Sequence, residues 1–105
     1  MIGNMFNKKM MGKMGAMQGQ MDQIKEKLNT IHVIGESDHS TCKVVANGNR
    51  LIHEITIDEA FYQSANQKEI EKAIVQASNR ALDQASRVEQ SEMSHAAMSI
   101  LPGLK

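Results

Sequence analysis

The stretch MMGKMGAMQGQMDQIKEKLNTI, residues 10–31, decides the fold. Within it Met10, Met14, Met17, Met21, Ile24, Leu28 and Ile31 follow one another at alternating steps of four and three. That is a heptad seam, the pattern of a helix packed lengthwise against another helix. Gly12, Gly15 and Gly19 fall off the seam, on the outer face. Each costs about 1 kcal/mol of helix propensity relative to alanine, so the helix depends on whatever packs against its seam.

Downstream the period changes from helical to alternating. Residues 31–34 predict a first strand, 41–46 a second and 50–58 a third, with a polar stretch at 35–40. Asn47-Gly48 predicts a tight hairpin, since that dipeptide readily supplies positive φ angles. On the third strand alternation places Leu51, His53, Ile55 and Ile57 on one face and Ile52, Glu54, Thr56 and Asp58 on the other. One face is expected buried and one mostly wet. A second long helix is expected over 66–98, with Asn66 capping its first turn and Glu69 three residues on. Ile70, Ala73, Ile74, Ala77, Ala81, Ala85 and Val88 form its narrow apolar stripe, and Pro102-Gly103 stops it.

The pattern is α+β: one domain over 1–105, an α-β-β-β-α protomer with a three-stranded antiparallel sheet. Its parts are a helical arm (1–30), the sheet (31–58), the second helix (66–98) and a tail (99–105). Helices over 6–30 and 67–98 would span roughly 37 and 48 Å. A compact domain of this size has a radius of gyration of about 13 Å, so both helices must project. Apolar stripes on projecting helices call for a partner, and a homodimer closes without an open end. Met10, Met14, Met17, Met21, Ile24 and Leu28 are the expected dimer or helix-packing residues.

Composition excludes several functions. Cys42 is the only cysteine, which rules out an internal disulfide or a thiolate metal cage and fits a reducing compartment. No apolar run approaches the ~20 residues of a membrane span. Lys8 and Lys9 precede no apolar run of the secretory kind, so a cytoplasmic location is expected. The methionines could suggest a Cu(I) site, but their heptad spacing favours packing. His32, His39, His53 and His95 show no helix-ligand spacing, and His53 is expected on an apolar strand face as a satisfied or partly buried histidine. Cys42 has no neighbouring histidine, Asp58 and Glu59 point apart, and there is no glycine-rich phosphate loop. No enzyme, metal or cofactor is expected.

Formal net charge is zero, with twelve Lys and Arg against twelve Asp and Glu. The distribution is uneven: Lys8, Lys9, Lys13, Lys25 and Lys27 share the first 30 residues with Asp22 and Glu26 alone. Any polyanion is therefore met by the N-terminal arm. Lys8, Lys9 and Lys13 are the leading phosphate-binding candidates, with Lys25, Lys27 and Arg87 behind them. The alternative is a dimeric adaptor that holds a protein partner on its Met-rich arm.

The Met/Gln/Lys-rich opening, Ile34-Gly35-Glu36-Ser37, Lys43-Val44-Val45-Ala46-Asn47-Gly48, Glu54-Ile55-Thr56-Ile57-Asp58, Ala77-Ser78-Asn79-Arg80-Ala81, Met93 and Leu101-Pro102-Gly103 together resemble the YbaB/EbfC family of bacterial nucleoid-associated proteins. The resemblance spans essentially the whole chain. It implies an intertwined, tweezer-shaped homodimer that binds double-stranded DNA in the nucleoid without catalysis. Two segments depart from the family's pattern. Asp38-His39-Ser40-Thr41 replaces a usually glycine-rich loop, and Asp83, Gln84, Gln90 and Glu92 occupy a stretch of the second helix that is often basic.

Overall fold

The protein is seen here as a computed structural model that describes residues 18–100. Helix α1 occupies residues 18–30 of the described chain. It is followed by β1 (His32–Glu36), a 3-10 turn (Asp38–Ser40), β2 (Cys42–Asn47), β3 (Ile52–Ile57), α2 (Glu59–Ser64) and α3 (Gln67–Ile100). The expected α+β order of helix, three antiparallel strands and long helix holds, with sheet order β1-β2-β3. The short helix α2 was not expected. Asp58, read as the end of the third strand, is instead its N-cap, its carboxylate accepting from the Phe61 amide at 3.0 Å.

Helix α3 begins as its sequence dictates. Asn66 Oδ1 accepts from the Glu69 amide at 2.8 Å, and Glu69 Oε1 accepts from the Asn66 amide at 3.2 Å, a reciprocal capping box. Thirty-four residues give α3 a length of roughly 51 Å. The Cα radius of gyration is 20.6 Å, far above the ~13 Å of a compact chain this size.

The core lies between α3 and one face of β1 and β2. Val33, Cys42, Val44 and Ala46 meet Ala73, Ala77, Ala81 and Ala85, all buried, with Ile57, Phe61, Ile74 and Val88 around them. The alanine stripe therefore finds its partner within the chain, where the sequence had pointed to a second copy. Gly35 sets the spacing. A Cβ there would fall on the Ala77 carbonyl oxygen and the Ala81 amide nitrogen, and 2.8 Å from Ala81 Cα. Neither obstacle is a flexible side chain, so only glycine fits.

The third strand corrects the sequence reading twice. Val45 pairs with Glu54 but Ala46 pairs with Ile52, so His53 is the extra residue of a β-bulge. The bulge moves Ile52 opposite inward-facing Ala46, alongside Ile55 opposite Val44 and Ile57 opposite Cys42. His53 meets the His32 ring instead. Nor is one face of β3 buried. Ile52 and Ile55 remain 43% and 46% exposed, because α3 packs mainly behind β1 and β2. His53, expected satisfied or partly buried, is exposed.

The hairpin after β2 forms by a different device from the expected one. Asn47 Oδ1 accepts from the Asn49 and Leu51 amides at 2.9 and 3.1 Å, and the positive φ falls on Arg50 (66°). Gly48 serves close approach: its amide donates to the Leu28 and Ile31 carbonyls, and a Cβ would lie 2.9 Å from the Leu28 carbonyl oxygen. The end of α1 is thereby seated on the hairpin. On the heptad seam Leu28 is buried, Ile24 half-buried and Met21 44% exposed. Met10, Met14 and Met17 lie outside the described residues.

Replacing Gly35 with alanine should force β1 and α3 apart. The expected loss is roughly 3 kcal/mol, at the upper end for overpacking, measured by urea unfolding. Gly19, which has open space around its Cα, serves as the control site for the same change.

Candidate nucleic-acid interface

A phosphate-binding surface needs unengaged cations that share a face. The described residues contain Lys25, Lys27, Lys43, Arg50, Lys68, Lys72, Arg80 and Arg87, eight cations against all twelve acids of the chain. The described body is thus net acidic by four charges, and Lys8, Lys9 and Lys13 lie outside the described residues.

Half of these cations are already paired. Lys27 Nζ lies 2.9 Å from Glu92 and joins α1 to α3, while Arg50 lies 2.6 Å from Glu89 and joins the hairpin to α3. Arg87 pairs with Asp83 one turn back at 3.0 Å. Arg80 pairs with Asp38 at 3.0 Å and donates to the Glu36 carbonyl at 2.8 Å. Among the described residues Lys25, Lys43, Lys68 and Lys72 have no ion pair. Of the sequence candidates, Lys25 is free in this sense, whereas Lys27 and Arg87 are engaged. Glu92, Glu89 and Asp38 stand many residues away from Lys27, Arg50 and Arg80, which is why chain order concealed three of the pairs. The pairs with both partners exposed, Arg80–Asp38 and Arg87–Asp83, contribute about 0–1 kcal/mol, so a phosphate can displace the carboxylate there at small cost.

Helices α1 and α3 run side by side in opposite directions. A groove of about 210 Å³ between them is lined by Gln20, Gln23, Ile24, Lys27, Glu92, His95 and Ala96. A larger hollow of about 450 Å³ lies where the 3-10 turn and α2 meet the start of α3, with Asp38, His39, Phe61 and Lys72 in its wall. The turn is fastened from α3: Gln76 Oε1 accepts from the Asp38 amide at 2.8 Å, and Gln76 Nε2 donates to the Asp38 carboxylate at 3.1 Å. The hydrogen bond from Gln76 Nε2, then the Arg80 guanidinium, hold the Asp38 carboxyl below its ordinary range. His39 and Ser40 adopt positive φ of 61° and 55°, conformations that glycine accepts more readily. Cys42 is buried in the core and its thiol is pushed up by burial, which disfavours a nucleophilic thiolate. Among the described residues no three His, Cys, Asp or Glu side chains cluster, and no helix is long and apolar enough to cross a membrane.

Sequence reasoning missed one juxtaposition: His32 and His53, far apart in the chain, have ring centroids 5.7 Å apart across β2. Only the bulge at His53 brings them to the same face.

A family model described as "YbaB/EbfC DNA-binding family" matches residues 3–100. A "Nucleoid-associated protein" from Flavobacterium johnsoniae is 25% identical over 95 residues, covering 90% of this chain and 88% of its own length. The crystal structure of an uncharacterized Helicobacter pylori protein, HP0035, superposes with a TM-score of 0.62. That match is 16% identical and covers 84% of this chain and 98% of the other, so it bears on the fold alone.

Because the Asp38 carboxyl is lowered in the folded state, its stabilising effect is complete above the ordinary aspartate value of about 3.9 and disappears as pH falls through the folded value. The melting temperature of the wild type should therefore drop more steeply on acidification from about pH 5 to 2.5 than that of Asp38→Asn. Parallel curves would remove the role given to Gln76 and Arg80.

Proposed function

This chain belongs to the YbaB/EbfC DNA-binding family, and we propose that it is a nucleoid protein that holds duplex DNA by its phosphate backbone, with little sequence preference. The observation that carries the reading is the family match over residues 3–100. The charge distribution refines it. With an acidic body and half its cations paired, attraction for a polyanion rests on Lys8, Lys9 and Lys13; Lys25 adds to it directly, and Lys27 and Arg87 where a phosphate displaces a carboxylate. No described element presents a set of base-reading side chains, which supports positioning by phosphate contacts over sequence readout.

The same reading includes a homodimer. Ile52 and Ile55 are exposed along β3, and Leu51 just before it, and the outer edge of β3 pairs with no other strand among the described residues. An apolar edge strand left uncovered is a template for association. Met21, Met93 and Met98 are exposed on the helical pair as well. Those methionines and the zero net charge favour a second reading, an adaptor for a protein partner, which a pull-down resistant to nuclease and high salt would support.

Three lysines from each of two arms neutralise about six phosphates, so the log–log salt dependence of duplex binding should have a slope near −5. Fluorescence anisotropy across a salt series measures it, and a triple Lys8/Lys9/Lys13→Ala variant should flatten the slope and weaken binding. Salt-independent binding, or an unchanged triple variant, overturns the phosphate mechanism.

Light scattering at micromolar concentration should give twice the chain mass of 11.6 kDa. Ile55→Lys should halve that mass while circular dichroism stays native, because Ile55 is already half exposed in the protomer. A wild type that is monomeric at this concentration overturns the dimer.

A further inference from the structure

We propose that His32 and His53 form a two-imidazole site for a late first-row divalent cation such as zinc or nickel, on the sheet face opposite α3. The placement is a product of the fold. On β1, Val33 and Gly35 are buried towards α3, so His32 stands on the other face, where it is exposed. His53 would alternate to the α3 side in a regular strand. As the unpaired residue of the bulge it stands instead on the side of His32, also exposed. The two rings straddle β2 with centroids 5.7 Å apart and planes inclined at 60°.

That geometry suits a shared metal better than it suits stacking. A zinc–nitrogen bond of about 2.1 Å places the metal roughly 3.2 Å from each ring centre, so two ligating rings at the tetrahedral angle lie roughly 5 Å apart. Small rotations of two exposed side chains close the remaining gap. Neutral imidazole is the preferred nitrogen donor for zinc and nickel. No third His, Cys, Asp or Glu joins the pair among the described residues, so water or an external donor completes the coordination. A bound cation would link β1 to β3 across β2, two strands that do not touch each other in the sheet. The site is independent of DNA binding, since neither histidine is among the proposed phosphate contacts.

Isothermal titration of the full chain with nickel chloride or zinc chloride at neutral pH tests the site. The expected result is one saturable site per chain, at least tenfold weaker in His32→Gln and in His53→Gln, and absent in the double variant. His39→Gln and His95→Gln should bind as the wild type does. In a histidine-selective NMR spectrum, substoichiometric nickel should broaden the His32 and His53 ring signals first. Both ligands are exposed, so the glutamine variants should stay folded, as circular dichroism will show. No saturable binding by the wild type, unchanged binding by the double variant, or equal broadening of all four histidines overturns the proposal.

Discussion

The contact between Gly35 and the backbone of α3 at Ala77 and Ala81 governs the rest of the molecule. A strand can lie this close to a helix only where neither surface carries bulk, and four buried alanines on α3 supply the other half of that condition. Close approach makes up in packing density for what small side chains lack in area. It also fixes where α3 lies: along β1 and β2, with its last turns, from about Glu92, running on beside α1. Helix α1 is held there because Gly48 seats the Leu28 and Ile31 carbonyls at the hairpin and Lys27 reaches Glu92.

Covering two strands with one helix leaves the third bare. The apolar side of β3 faces the same way as the buried side of β2, but among the described residues only Ile57, at its end, packs against the core, and Ile52 and Ile55 stay exposed. A chain of this size has too little bulk to shield every apolar surface. The proposed dimer is an answer to that deficit at β3, rather than to the alanine stripe, whose partner is internal. The bulge at His53 adds to the effect by gathering Ile52, Ile55 and Ile57 on one side and sending His53 to the other.

Electrostatics divides the chain differently from its folding. The described body holds all twelve acids, and uses four of its cations to tie the hairpin, the 3-10 turn and α1 to α3 or to brace α3 itself. The cation of each pair is exposed, so structural duty and phosphate binding need not exclude each other. The cations of the opening segment face no comparable local demand in sequence, which is the physical basis for giving them the leading role.

Sequence by itself determined the class of fold, the order of its main elements, the capping box at Asn66 and Glu69, and the alanine face of α3. Each of these is a local matter, set by helical period, strand alternation and side chains three or four residues apart. The resemblance to the family was legible because its segments keep their order along the chain, and the family match bears it out. Tertiary structure decided what the stripe packs against, that Asp58 starts a helix, that both sides of β3 stay exposed, and that His32 and His53 meet. It also decided which cations are engaged, since Lys27–Glu92, Arg50–Glu89 and Arg80–Asp38 join residues that no local pattern connects. A periodic pattern records which face a residue shows, but not what arrives there. One extra residue in a strand reverses even that, because alternation has a period of two and a bulge breaks its phase.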